Sequence, residues 1–147
     1  MDIKNLLKSL NEHKVRYVII GAYAFPFYGY SRATIDIDIF IEPHKDNAQK
    51  TLKALSDFGY DVSDLAVEDM LKKKILIRQY ALETDIHPFV TGISFEEVWK
   101  NKKKGEIEGV KTYFASLDDL IIMKKAAGRE KDLQDLKFLK KLRDKSG

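Results

Sequence analysis

The sequence predicts an α/β or α+β fold, in which one layer of mixed β-sheet is covered by helices and further helices follow at the C-terminal end. Residues 34–41 alternate between apolar and polar side chains, which indicates a strand. Other segments repeat apolar residues at helical spacing, and the two kinds of segment follow each other in irregular order. The 147 residues contain no repeat or linker, so we expect one domain over residues 1–147.

The N-terminal third is predicted to form a helix, a strand and an irregular aromatic segment. Asp2 can cap a helix with apolar residues at positions 3, 6, 7 and 10. Residues 15–20 are a short β-branched run typical of a buried strand, and Gly21 ends it. The aromatic stretch 22–30 is predicted as a short irregular helix and a turn, since Pro26 and Gly29 limit its length.

The strand over 34–41 carries the strongest signal in the chain. Its isoleucines at 35, 37, 39 and 41 share one face, and Thr34, Asp36, Asp38 and Phe40 share the other. A helix is predicted next, over 46–58, because its apolar positions share one side and Gly59 follows directly.

The second half is predicted to mix short strands and helices. A short helix over 67–74 precedes one long or two short strands over 74–89, broken near Ala81. Residues 94–100 begin with a capping box, and 106–115 form a hairpin that turns near Gly109. Helices follow over 116–127 and from 130 to about 143. The last helix is predicted to bury four apolar side chains: Leu133, Leu136, either Phe138 or Leu139, and Leu142.

Composition excludes several functional classes. There is no cysteine, which rules out disulfides, thiolate zinc sites and a cysteine nucleophile. The first twelve residues lack the apolar core of a signal peptide, and we expect a cytoplasmic protein. The formal charge of +3 is compatible with nucleic-acid binding and does not require it. The lysine runs at 72–74 and 102–104 are interpreted as solvated faces, with an RNA-contacting patch as the alternative.

Asp36 and Asp38 are the first candidates for chemistry. Residues two apart on a strand share a face, with α-carbons roughly 6.6 Å apart. Two such carboxylates repel each other, and a divalent cation is a natural compensation. The alternative is a solvent-facing polar edge. Gly21 directly follows a strand and opens a helical segment, where backbone N–H groups can receive phosphate.

Residues 21–42 resemble the first motif of the polymerase-β-like nucleotidyltransferase superfamily, in which a Gly-Gly or Gly-Ser step precedes a DxD strand. They look most similar to its small bacterial and archaeal branch, which includes minimal nucleotidyltransferases and toxin-type members of toxin–antitoxin systems. The third carboxylate of that family maps to Asp85, in LETDIHPF. Residues 116–139 also resemble that branch, whose lysine, basic residue and aspartate map to Lys124, Arg129 and Asp132.

The resemblance implies a nucleotidyltransferase fold and a metal-dependent transferase. Asp36, Asp38 and Asp85 would hold two Mg²⁺ ions against a nucleoside triphosphate such as ATP, and Asp85 is also a candidate general base. Gly21, Ala22, Arg32, Lys124 and Asp132 would form the nucleotide-binding set. The acceptor is left open between a protein hydroxyl, a tRNA end and a small hydroxylated molecule. A partner protein or homodimer is one way to complete the acceptor surface.

Two positions depart from the family pattern. Ala22 stands where the family has glycine or serine, so backbone donors alone remain there, and Pro26 interrupts a helical turn. These departures keep open an alternative function, a catalytically weak or inactive partner or antitoxin of a two-gene system. A glycosyltransferase DxD motif is a third interpretation, disfavoured by the short chain.

His87 and the aromatic run from Tyr23 to Tyr30 are both interpreted as structural. His87 lies two residues after Asp85 on the same predicted face; we interpret it as structural and keep metal binding as the alternative. The aromatic run from Tyr23 to Tyr30 is interpreted as core packing, with Tyr23 or Tyr28 as candidates for stacking on a base.

Overall fold

The computed structural model describes residues 2–31, 33–34 and 36–146, and Arg32 and Ile35 lie outside the described residues. The helices are α1 (Ile3–Glu12), α2 (Lys45–Phe58), α3 (Val67–Lys72), α4 (Phe95–Asn101), α5 (Leu117–Ala127) and α6 (Glu130–Ser146). The strands are β1 (Tyr17–Ile20), β2 (Asp36–Ile41), β3 (Ile75–Ile77), β4 (Glu83–His87), β5 (Lys103–Ile107) and β6 (Val110–Phe114). Two 3₁₀ segments follow β1, at Gly21–Tyr23 and Phe25–Tyr28.

The six strands form one mixed sheet in the order β3-β4-β2-β1-β6-β5. β2 runs antiparallel to β1 and parallel to β4, which places it near the centre of the sheet. The predicted fold class, a mixed sheet with helices, is confirmed. Within the described part of the chain, no helix has both the length and the apolar character needed to cross a bilayer.

Local signals explain most of the elements. The side chain of Asp2 accepts the N–H of Asn5 and begins α1, and the side chain of Ser116 does the same for Asp119 in α5. Gly128, in the left-handed region, ends α5. The predicted strand over 74–89 is two antiparallel strands, β3 and β4, joined by the turn around residues 78–82.

The core continues through both faces of the central strands. Ile37, Ile39 and Ile41 are fully buried, as the alternation predicts. Phe40, on the face that carries the aspartates, is also fully buried because α4 covers it and Phe95 packs edge-to-face against its ring at 5.2 Å.

The prediction for α6 is partly wrong. Leu139, one of the two alternatives at 138 and 139, is fully buried as predicted, and Leu136 and Leu142 are partly buried, but Leu133 is 58% exposed. The inner face of this helix also contains Asp132 and Asp135, both almost fully buried. Buried carboxylates need compensating charges, and Lys124 of α5 supplies one opposite them. Ion pairing and Leu139 together therefore set the orientation of α6, which leaves Leu133 outside the core.

Candidate active site

The parallel pairing of β2 with β4 brings the predicted aspartates together. Asp38 lies beside Asp85 in register, and Asp36 lies beside Glu83. Neighbouring residues in register share a face of the sheet, so these carboxylates point to the same side. The same register places His87 beside Phe40, one step further along the strands.

Asp38, Asp85 and His87 form the compact group of this cluster. One potential ligand atom from each lies within 4.8 Å of the others, and His87 Nε2 is 2.9 Å from Asp38 Oδ1. His87, interpreted from sequence as structural, is therefore in direct contact with the site. Asp36 borders the same cavity but is not part of this three-residue group.

Asp85 carries an ion pair that the sequence did not reveal. Its side chain is nearly buried, and the Arg78 Nη1 atom lies 2.7 Å from its Oδ1 atom. Lys74 Nζ is 3.9 Å from the other oxygen. The chain thus compensates Asp85 with its own cations, so the expectation that the carboxylates rely on bound metal for compensation is too strong.

The same carboxylate belongs to a donor set with Asp38 and His87. Asp85 Oδ1 is buried, and the guanidinium of Arg78 at 2.7 Å is the cation that offsets its charge. Asp38, Asp85 and His87 each bring one ligand atom to within 4.8 Å of the other two. Two carboxylates and an imidazole form a donor set that suits a divalent ion, so the residues present fit a metal.

Gly21 touches the cluster through its backbone. Its φ of +71° is a conformation that side chains rarely adopt, and a Cβ atom built on it would lie 2.4 Å from Asp38 Oδ2. Glycine is therefore required at this position for two independent reasons. Ala22, the next residue, is 6% exposed. Pro26 lies at the start of the second 3₁₀ segment, where no N–H is needed, so the predicted clash does not arise.

Lys124 and Asp132 meet on the opposite wall. Lys124 Nζ is 3.0 Å from Asp132 Oδ1 and 3.3 Å from Asp135 Oδ2. Arg129 also donates to Asp132, with Nε 2.7 Å from Oδ2. Burial raises the pKa of Asp132, but the hydrogen bonds from Arg129 and Lys124 outweigh it and lower the pKa to about 2.

A polar cavity of about 670 Å³ joins these two walls. It brings together all the described site residues predicted from sequence: Gly21, Ala22, Asp36, Asp38, Asp85, Lys124 and Asp132. The predicted Arg32 lies outside the described residues. The cavity also contains Arg78, Lys74 and Glu83, which the sequence analysis missed. Lys74 directly precedes β3 and Arg78 directly follows it, four residues later. Residues an even number of positions apart along a strand share a face, so this spacing could have placed both side chains on the face that carries Asp85.

Sequence comparison gives a family for the whole chain. Residues 1–147 match the family described as "Nucleotidyl transferase of unknown function (DUF2204)". No curated protein matches the sequence significantly.

Solved structures share the fold at low sequence identity. The lincomycin-bound lincosamide antibiotic adenylyltransferase LnuA aligns with a TM-score of 0.64 and 20% identity, covering 97% of this chain and 98% of that one. The protein TM1012 of Thermotoga maritima, described as a nucleotidyltransferase, aligns with a TM-score of 0.60 and 18% identity, covering 97% and 91%. At these identities the likeness shows the fold alone.

Proposed function

Because the chain belongs to this nucleotidyl transferase family over its full length, we propose that its polar cavity moves a nucleoside monophosphate from a nucleoside triphosphate to a hydroxyl acceptor. The acceptor oxygen bonds to the α-phosphorus, the α–β phosphoanhydride bond breaks, and pyrophosphate leaves with the bonding electrons. The proton of the hydroxyl passes to a base or to solvent.

The observation that carries this proposal is the convergence of Asp38, Asp85 and His87, which bring one ligand atom each to within 4.8 Å of one another. Asp38 and Asp85, with His87 in contact and Asp36 adjacent, would hold the divalent ions. Bound Mg²⁺ would supply charge neutralisation of the triphosphate and activation of the acceptor hydroxyl. Arg78 already offsets the charge of Asp85, so the site is held together before any ligand arrives.

The opposite wall suits the triphosphate. Lys124 and Arg129 converge on Asp132, whose charge holds both cations at the cavity. Their positions leave them pre-ordered toward a polyphosphate, which reduces the entropy lost on binding. On the strand side, the close approach to Asp38 requires a glycine at position 21. Because Gly21 has no side chain, a phosphate could approach its backbone N–H closely. Ala22 has no hydroxyl group, so only backbone N–H groups would donate hydrogen bonds to the phosphate at this position.

The direct test measures magnesium-dependent nucleotide binding and pyrophosphate release. Asp38→Asn should abolish both, because it removes a charge in contact with two other members of the cluster. The matched control is Asp64→Asn, which removes an exposed carboxylate outside the cavity and should behave as wild type. Binding that is equal in the wild type and Asp38→Asn would refute the assignment.

The same assay addresses the alternative of a non-catalytic partner protein, which the loss of a hydroxyl at Ala22 favours. A partner protein that kept the fold would bind nucleotide or another protein without releasing pyrophosphate in any acceptor mixture. Release of pyrophosphate by the wild type and not by Asp38→Asn excludes that alternative.

A further inference from the structure

A second cavity, of about 360 Å³, opens on the other side of Asp38. It shares five residues with the polar cavity, and His87 borders this second space alone; the shared residues are Gly21, Asp38, Lys74, Lys124 and Arg129. Its remaining wall is mostly apolar and is formed by the segment after β4 and by α5: Phe89, Val90, Leu120, Met123 and Ala127. We call it the apolar cavity.

The wall of the apolar cavity is built into the fold. Gly92 has a φ of +97°, and a Cβ atom placed on it would lie 2.9 Å from the Cβ atom of Ala126 in α5. This contact holds the segment after β4 against the helix, and a bridge between Val90 and Ile93 closes the turn. Phe89 is 61% exposed on this segment and borders the apolar cavity.

The two cavities differ in the chemistry they offer. The cationic side chains of the apolar cavity, Lys74, Lys124 and Arg129, all lie on the boundary shared with the polar cavity. The polar cavity adds Arg78 and Lys131. Asp36 and Asp85, the other carboxylates of the proposed metal site, border the polar cavity alone, so a metal-bound triphosphate belongs on the polar side and the apolar wall is left for an uncharged group.

Each cavity is large enough for a ligand group. The polar cavity, of about 670 Å³, accommodates a whole nucleotide and offers Gln134 to a nucleobase, whereas the described apolar wall offers few hydrogen-bonding side chains. The apolar cavity is thus available to the acceptor.

We infer that the acceptor is a small, uncharged, hydroxylated molecule with an apolar body, which fills the apolar cavity and presents its hydroxyl at the Asp38 boundary. This rests on the proposed function and selects one acceptor class. The acceptor oxygen takes the nucleoside monophosphate, pyrophosphate leaves, and the proton is released. A tRNA end needs cations along its phosphates, whereas the cations of this cavity all lie at its boundary with the polar cavity. A protein acceptor would reach the cavity through one hydroxyl-bearing side chain only and would leave most of the apolar wall uncovered.

The experiment incubates the protein and Mg²⁺ with each α-³²P-labelled nucleoside triphosphate and three acceptor pools: a deproteinised small-molecule extract, total tRNA, and folded protein including the chain itself. We expect label in the small-molecule pool, in products that partition into butanol. Phe89→Ser should lower this transfer about tenfold at subsaturating extract, which corresponds to about 1.4 kcal/mol. Phe89→Leu, which keeps an apolar side chain, should retain most of it.

Leu133→Ser is the matched control, because Leu133 is 58% exposed and borders neither cavity. It should leave transfer unchanged. Binding of a non-hydrolysable nucleoside triphosphate with Mg²⁺, measured without acceptor, should be equal in wild type and Phe89→Ser. Label confined to tRNA or protein overturns the inference, as does an equal loss of nucleotide affinity in Phe89→Ser, which would place the nucleobase in the apolar cavity. Absence of both nucleotide binding and pyrophosphate release in the wild type instead refutes the proposed function itself.

Discussion

Replacing Gly21 with alanine is the sharpest perturbation of the site. The alanine would keep a φ of +71°, and its Cβ atom would lie 2.4 Å from Asp38 Oδ2, 3.1 Å from Cγ and 3.2 Å from Cβ. Rotation of the carboxylate can relieve the contact with Oδ2, but the contacts with Cγ and Cβ stay tight, so the Asp38 side chain must also shift slightly. The hydrogen bond between Asp38 and His87 then breaks or lengthens.

The magnitude follows from two additive costs. Left-handed backbone costs alanine about 1 kcal/mol, and overpacking against Asp38 adds about 1–3 kcal/mol. A loss of about 2–4 kcal/mol lowers Tm by about 5–12 °C in a protein of this size. Gly109→Ala is the matched control, because Gly109 has a φ of +81° and no atom lies within 4 Å of the added Cβ. Only the left-handed backbone, at about 1 kcal/mol, should destabilise this variant.

The assay combines thermal unfolding with magnesium-dependent nucleotide binding. Gly21→Ala should lose more stability than Gly109→Ala and should bind nucleotide at least about tenfold more weakly, whereas Gly109→Ala should bind as wild type. Equal losses of stability in the two variants, with nucleotide binding intact in both, would refute the close approach of Gly21 to Asp38.

Three further predictions concern the ion pairs and the apolar wall. Asp132→Asn should destabilise the protein by about 2 kcal/mol near neutral pH, because the pKa of Asp132 is lowered to about 2 from 3.8. This contribution to the free energy of unfolding is present above pH 3.8 and is lost as the pH falls through 2. Denaturant unfolding should therefore show that the stability difference between the wild type and Asp132→Asn shrinks over that interval. A constant difference would contradict the pairing of Asp132 with Lys124. Arg78→Met should lower the free energy of unfolding by about 1–3 kcal/mol in denaturant titrations without divalent ions, because Asp85 is then buried without this ion pair. An unchanged free energy of unfolding would mean that the ion pair contributes little to stability. Gly92→Ala should lower acceptor-dependent transfer while nucleotide affinity stays at the wild-type level in calorimetry, and an equal fall in both would contradict a separate acceptor cavity.

Most of the fold was predictable because its signals are local. The alternation over 34–41 and the caps at Asp2 and Ser116 depend on neighbouring residues, and each produced the expected element. The orientation of α6 was not predictable in that way. Its buried face contains Asp132 and Asp135, and their burial depends on Lys124 in another helix. Hydrophobic periodicity treats such carboxylates as surface residues and so assigned Leu133 to the core.

The site residues that lie in the family's motifs were predictable, and those outside the motifs were less so. The resemblance selected Asp85, and the parallel register then placed it beside Asp38. The even spacing of Lys74 and Arg78 around β3 indicates that they share a face, but their ion pairs with Asp85 also depend on the antiparallel pairing of β3 with β4, which that spacing does not specify. The family membership of the chain is confirmed, and the roles of the individual site residues stay predictions.

A Mn²⁺ titration followed by electron paramagnetic resonance, with a non-hydrolysable nucleoside triphosphate present, tests the proposed metal site most directly. If Asp38 and Asp85 hold the cation jointly, the wild type should bind Mn²⁺ with nucleotide and Asp85→Asn should lose most of that binding while remaining folded. Mn²⁺ binding in Asp85→Asn that is indistinguishable from the wild type would refute the metal site.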